Sequence, residues 1–362
     1  MGRNISLRDF DWLLLGILLA IATLGVVQIY STTAGTKFAG AHVRQIYWIL
    51  LGLPLLFLVC LYDYRSLLNY APWFYLAVLI LLVATLVMGV ETSGARRWLR
   101  IGRITFQVSE VAKLALILLL ARFFGGPQEG KLSWADLGKV AVAAGLPAVL
   151  IAWQPDLGTA LTLVPVVLVM LFVAGLRLRY FAVMLLAGVV SLPIAWQHLK
   201  PYQKERIATF LEPEQDPQRS GYQVLQSRIA VGSGELWGKG TAQGTQTQLR
   251  FLPVPHTDFI FAAYAEEHGF FGVLLGLLLY FVAAIRLMQN AQMAPDAAGM
   301  FLIAGIAGVF LFQVLVNIGM VVGYLPVTGI PLPLMSYGGS SAMVAFLAVG
   351  LVNSVRVRRF VN

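Results

Sequence analysis

The chain has 362 residues, of which 59% are hydrophobic and 12% charged, with a formal net charge of +9 and a mean hydropathy of +0.78. A soluble globular protein carries about 25% charged residues, so that class is excluded. The Lys and Arg residues lie between apolar runs rather than in one block, which argues against nucleic acid and for anionic membrane lipid as the partner of the positive charge.

Apolar runs recur along the chain, each long enough to cross ~30 Å of hydrocarbon as a helix. None alternates as a membrane-spanning strand would. The predicted class is an all-α polytopic membrane protein with about ten transmembrane helices. They fall near 12–30, 45–61, 71–90, 108–124, 137–153, 159–175, 181–198, 259–287, 298–322 and 340–354. The first run, Trp12–Ile29, exceeds the ~7–15-residue core of a signal peptide and reads as a retained helix. Cys60 is the only cysteine, so it forms no intrachain disulfide and reads as packing. With no internal repeat, one membrane domain accounts for 1–362. Residues 199–258 form a large loop between the seventh and eighth spans, with Tyr202, Phe210, Tyr222, Trp237 and Phe251 available to pack on the membrane surface.

With the N-terminus inside, twelve Lys and Arg residues fall in inner loops and six in the short outer loops. That excess places both termini in the cytoplasm and the large loop outside. One outer loop, Gly94–Arg103, breaks the trend with four arginines. Its Arg96 and Arg97 read either as a grip on a pyrophosphate headgroup or as general attraction to anionic headgroups, with Trp98 as interface anchor.

Four further groups share the outer side. Glu110 and Lys113 stand three apart on one face of the fourth span, either locking two helices or lining a polar cavity. Gln154–Ala160 joins two spans almost without a loop, and Asp156 or Thr159 can cap the helix that follows. Pro326–Ser341 holds three prolines, then Ser336, Gly338 and Ser340 at the start of the last helix; it reads as a rigid re-entrant turn or as an anion site. Asp258 stands at the end of the large loop, where an apolar helix is expected to begin at Phe259. It reads as an N-cap or as a general base at the water–lipid boundary. Glu266, Glu267 and His268 lack metal-ligand spacing and read as surface pairing. No P-loop, dinucleotide or Gly-x-Ser-x-Gly signature is present, so no nucleotide is expected and any activated donor would arrive lipid-linked.

These stretches carry a resemblance. Gly94–Trp98 with Phe106–Lys113, Gln154–Ala160, Gly221–Leu249, His256–Phe261 (HTDFIF) and Pro326–Ser341 (PVTGIPLPLMSYGGSS) are similar to the SEDS family of peptidoglycan glycosyltransferases (shape, elongation, division and sporulation), and most to its RodA-type members. One departure is Val254-Pro255, where relatives usually carry an acidic-basic pair. The resemblance implies a ten-helix fold in the bacterial cytoplasmic membrane and polymerisation of lipid II into nascent β-1,4 glycan outside it. It implies Asp258 as the essential aspartate and a class B penicillin-binding protein as partner. Inversion by single displacement needs one base and positive charge on the leaving diphosphate, supplied by Arg96, Arg97, Lys113 or a divalent cation (Mg or Mn) whose ligands the sequence does not assign. A flippase for the lipid-linked precursor, a division-type paralogue and a non-catalytic scaffold are the rival readings.

Overall fold

The computed structural model describes residues 7–92, 95–102, 104–126, 132–198, 204, 208, 210 and 220–360. Gly94, Arg103, Lys131 and Tyr202 lie outside the described residues. The chain is predominantly helical: α1 (Trp12–Thr33), α2 (Ala41–Leu61), α3 (Tyr64–Met88), α4 (Val108–Gly125), α5 (Trp134–Trp153), α6 (Leu157–Leu161), α7 (Leu163–Val173), α8 (Leu178–His198), α9 (Ser220–Ser233), α10 (Thr245–Gln248), α11 (Ile260–Gln292), α12 (Ala297–Val321) and α13 (Gly339–Arg356). Among the described residues seven helices, α1, α2, α3, α5, α11, α12 and α13, are long and apolar enough to cross a membrane. This is a multi-pass membrane protein.

Helix α12 runs through the centre, packed on α4, α7 and α11. It is apolar all round, as a buried helix must be. Small residues set its spacing. A Cβ on Gly305 would stand 3.0 Å from Ile117 of α4, and one on Gly308 would stand 3.0 Å from Val169 of α7. Helices α2 and α13 pair in the same way, with Gly52 under the Phe346 ring and Gly350 against the Leu56 carbonyl.

The structure departs from the sequence reading at three places. First, the arginine segment is a strand rather than a loop: β1 (Val90–Thr92), β2 (Ala95–Ile101) and β3 (Ile104–Phe106) form an antiparallel sheet in that order, with Val90 opposite Trp98 and Arg100 opposite Thr105. Second, the sixth apolar run is broken at Thr162, between α6 and α7. Third, α11 is interrupted at Gly269, whose φ of 63° and ψ of −163° are non-helical.

That interruption is where the segment Glu235–Gly240 attaches. The amides of Phe270 and Phe271, freed by the break, donate to the carbonyls of Glu235 (2.8 Å) and Leu236 (3.3 Å). On its other side, the carbonyls of Glu266 and Glu267 accept from the amides of Lys239 (3.1 Å) and Gly240 (2.9 Å). Backbone groups at membrane depth need such partners. Glu266 and Glu267 are therefore buried rather than surface-paired, which corrects the sequence reading. The Glu266 carboxylate accepts from Lys239 Nζ (2.8 Å) and from the amides of Gln246 (2.8 Å) and Thr247 (3.1 Å). Glu267 accepts from the Ser31 hydroxyl and from Gln28 Nε2 (3.2 Å) on α1. His268 stacks on Tyr264, ring centroids 4.6 Å apart. These charges were legible in the sequence, but their burial depends on a loop about 20–30 residues away folding over a helix break.

Candidate active site

Asp258 lies in the turn that precedes α11. The N-cap position is Phe259, one residue beyond Asp258 and without a side-chain cap bond, so the helix start falls just past the aspartate. Leu252, His256 and Phe259 are buried around it, and Asp258 itself is half-buried.

Three successive carbonyls fix this turn. The His256 carbonyl accepts from the amide of Tyr337 (2.9 Å). The Thr257 carbonyl accepts from the hydroxyl of Ser336 (2.7 Å), which in turn accepts from the amide of Leu332 (2.9 Å). The Asp258 carbonyl accepts from Asn317 Nδ2 (3.0 Å), which also reaches the carbonyl of Ile330 (2.8 Å). The His256 ring sits 4.6 Å from Phe38 and 6.0 Å from Tyr337. Burial pushes its imidazole below the usual value, so the folded protein holds it neutral.

Asn317 comes from α12, and Ser336 and Tyr337 come from the last loop, which is buried inside the protein: Ile330, Leu332, Leu334, Met335 and Ser336 have almost no exposure. Irregular backbone at this depth is tolerated in that setting. Gly329, with φ of 72°, brings the loop against the aspartate, and a Cβ there would stand 3.7 Å from Asp258 Oδ2. On the loop's other side, a Cβ on Gly158 would stand 2.4 Å from the Thr328 carbonyl, so the 154–160 turn packs directly on it.

Asp156 does two things at once. Its carboxylate caps α6, accepting from the amide (3.3 Å) and hydroxyl (2.9 Å) of Thr159. It also accepts from Gln107 Nε2 (3.0 Å), while the Gln107 amide donates to the Ser340 hydroxyl (3.0 Å). Gln107 thus joins the sheet, the 154–160 turn and the start of α13. Arg97 Nη1 lies 4.0 Å from Asp156, and its guanidinium donates to the carbonyls of Gln154 (3.3 Å) and Pro155. Arg96 is exposed, 3.9 Å from Glu91. The Gly338 amide donates to Gln45 Oε1 (3.2 Å), and Arg44 lies over the Tyr337 ring.

Glu110 and Lys113 pair at 2.9 Å within α4, both buried, so the pair does not bridge two helices. It lines a cavity of about 70 Å³ with Gln313, Pro333, Leu334 and Ser341. The remaining walls are apolar, which corrects the expectation of a polar cavity. Two buried polar atoms next to the aspartate's surroundings, Asn317 Oδ1 and Thr328 Oγ1, have no hydrogen-bond partner among the described residues. No group of three His, Cys, Asp or Glu side chains among the described residues is placed to hold a metal ion.

Sequence reasoning brought forward Asp258, Asp156, Ser336 and Ser340, and the structure gathers their segments at one end of the bundle. It missed Gln107 and Gln45 and gave Asn317 no role beyond depth. A polar residue at a span boundary carries no local sign of its tertiary partner.

Comparison with known proteins follows the same contour. The sequence profile described as "Cell cycle protein", FtsW/RodA/SpoVE, matches residues 11–360. The peptidoglycan glycosyltransferase MrdB of Escherichia coli K12 is 40% identical over 350 residues, covering 96% of this chain and 94% of that protein. The peptidoglycan glycosyltransferase RodA of Treponema pallidum is 33% identical, covering 99% of each chain. Among solved structures, a chain from a peptidoglycan synthase complex, studied for its coordination of polymerization and crosslinking, superposes with a TM-score of 0.85 at 36% identity, covering 98% of this chain and 99% of that one. The crystal structure of the rod shape determining protein RodA of Thermus thermophilus superposes with a TM-score of 0.74 at 33% identity, covering 98% of each chain.

Proposed function

The chain belongs to the FtsW/RodA/SpoVE family of cell cycle proteins, and from that premise we propose that it is an elongation-type peptidoglycan glycosyltransferase polymerising lipid II. The observation that carries the reading is the turn at 256–258. Its backbone is held by Tyr337, Ser336 and Asn317, and its carboxyl is laid against Gly329 where the last loop meets the 154–160 turn.

In this reading the Asp258 carboxylate takes the proton from the acceptor sugar hydroxyl as that oxygen attacks the anomeric carbon of the donor. The new glycosidic bond forms as the bond to the lipid diphosphate breaks, and the configuration inverts. A fixed base of this kind contributes ~10²–10⁴-fold. Pinning three carbonyls limits the turn's freedom, which is what holding a base within hydrogen-bond reach requires. Arg97 and Lys113 supply positive charge on the side where the diphosphate departs, with Arg96 further out on the strand. Mg or Mn would enter as a companion of the diphosphate, and no step is assigned to it. Asp156, Gly338, Ser340 and Glu110 frame the substrate. The orphaned Asn317 Oδ1 and Thr328 Oγ1 are suited to a ligand rich in hydroxyls.

We further propose that the protein lies in the bacterial cytoplasmic membrane with both termini inside, as one domain whose 199–258 loop faces outward. Its partner in this proposal is a class B penicillin-binding protein; the likeness to a chain of a synthase complex supports this. The test is reconstitution with that partner, lipid II and a divalent cation, comparing wild type with Asp258→Ala and Asp258→Asn. Glycan polymer from wild type alone is expected. Polymer from the variants at the wild-type rate would remove Asp258 as the base, and lipid II movement across vesicles without polymer would favour a flippase.

A further inference from the structure

A second feature lies apart from the aspartate, on the lipid-facing side. Helices α3 and α5 are pinned together by two hydrogen bonds: the Tyr75 hydroxyl donates to the Ala143 carbonyl (2.6 Å), and Gln154 Nε2 donates to the Leu82 carbonyl (3.0 Å). Beside these pins an apolar groove of about 640 Å³ opens, lined by Leu79, Val83, Leu146, Val149 and Trp153 among others. Gly145 also lines it, and no heavy atom lies within 4 Å of where its Cβ would stand. The missing side chain keeps the groove open.

The end of the groove nearest the sheet is cationic. Successive side chains on a strand face opposite ways. On β2 this puts Trp98 and Arg100 on the face opposite Leu99, and a register shift between Val90 and Glu91 interrupts the alternation between Trp98 and Arg96. Arg97 turns to the 154–156 turn and Leu99 packs on the core. Arg96 and Arg100 remain exposed. Arg96 sits over the end of α3, since a Cβ on Gly89 would stand 3.2 Å from its own Cβ. Among the described residues its nearby counter-charge is Glu91, 62% exposed at 3.9 Å, an arrangement that contributes little.

The geometry points to a binding site for an anionic phospholipid, with one acyl chain in the α3–α5 groove and the phosphate met by Arg96. The dimensions favour a phospholipid over a long polyprenyl chain. From Val142 to Trp153 the helix rises roughly 17 Å at ~1.5 Å per residue. That is about one leaflet of a ~30 Å hydrocarbon core, the depth at which an acyl chain ends. The Arg96 guanidinium at the mouth favours a net negative headgroup over a zwitterionic one. This site needs only a membrane-embedded chain, so it stands or falls independently of Asp258.

The experiment is native mass spectrometry of the full chain with phosphatidylglycerol or phosphatidylcholine of identical acyl chains. Gly145→Leu fills the groove without a clash; Gly138→Leu is the control, on the same helix, equally unobstructed and outside the groove. Wild type is expected to retain phosphatidylglycerol over phosphatidylcholine. Arg96→Gln should lower that preference about fivefold. Gly145→Leu should abolish retention, and Gly138→Leu should leave it unchanged. Retention surviving Gly145→Leu, lost equally with Gly138→Leu, or indifferent to headgroup would overturn the assignment. So would displacement of bound phosphatidylglycerol by a polyprenyl diphosphate, which would give the groove to a lipid-linked substrate.

Discussion

Two aspartates, Asp11 buried and Asp258 half-buried, stand near opposite ends of α11, a helix of 33 residues and so roughly 50 Å long. Asp11 is held by its side chain. One oxygen accepts from Arg286 Nη2 (2.8 Å), the other from Asn290 Nδ2 (2.7 Å) with Arg356 Nη1 at 3.4 Å, and its amide donates to Asn353 Oδ1 (2.7 Å). Asp258 is held by its backbone, through the carbonyls of residues 256–258, and its carboxyl rests against a glycine. The first arrangement uses the charge to join the N-terminal segment to α11 and α13. The second fixes the chain around a charge. Asp11 joins segments through its carboxylate, whereas the turn that carries Asp258 is fixed through main-chain bonds.

That contrast can be broken by exchanging the losses. Asp11→Ala leaves Arg286 and Arg356 without their buried partner, and removing one side of such a pair costs roughly 3 kcal/mol. Scanning fluorimetry in detergent should show a large fall in Tm, with polymerisation per folded molecule retained.

Asn317→Leu should act on both measures. It strips donors from the carbonyls of Asp258 and Ile330, costing about 2 kcal/mol, and it frees the aspartate's turn, costing about tenfold in polymerisation rate. A rate loss without any Tm change would contradict the backbone role.

Ser336→Ala is milder. It removes the donor to the Thr257 carbonyl and the acceptor for the Leu332 amide, and should cost about 1 kcal/mol with a smaller fall in rate.

The smallest effect is in the pH dependence. Burial alone would raise the Asp11 carboxyl, but the bonds from Arg286, Asn290 and the Leu14 amide and the charge of Arg356 hold it below the usual 3.8. Its stabilisation is present above that value and is lost as pH falls through the lowered one. His256 is also lowered, by burial, from the usual 6.5. Its contribution is complete above 6.5 and declines as pH falls towards the depressed value. Tm measured between neutral pH and about pH 5 should therefore drop in wild type and drop less in His256→Phe, which keeps a ring between Phe38 and Tyr337.

Much of this frame was readable before any coordinates. Long apolar runs announce helices because the bilayer leaves few other solutions. The runs at 12–30, 298–322 and 340–354 correspond to α1, α12 and α13 within a few residues. Asp258, Asp156 and the Pro326–Ser341 loop stood out because polar residues and prolines are costly between spans. The strand β2 was missed because Ala95–Ile101 does not alternate: Arg96 and Arg97 are adjacent, and so are Trp98 and Leu99, where the pairing with β1 shifts register. The burial of Glu266 and Glu267 was missed because it depends on the helix break at Gly269 and on a loop folding over it. The hub at Gln107 was invisible for the same reason, since its partners lie 49 and 233 residues away.

The most direct measurement is a steady-state comparison of Asp258→Asn with wild type, in complex with the proposed transpeptidase partner and across a range of lipid II concentrations. The amide keeps the shape of the side chain and the pinned turn but cannot accept the proton. The account predicts kcat down by about 100-fold or more, KM within about threefold and an unchanged Tm. A variant that keeps its kcat and raises only KM would make Asp258 a substrate-holding group and contradict its role as the base.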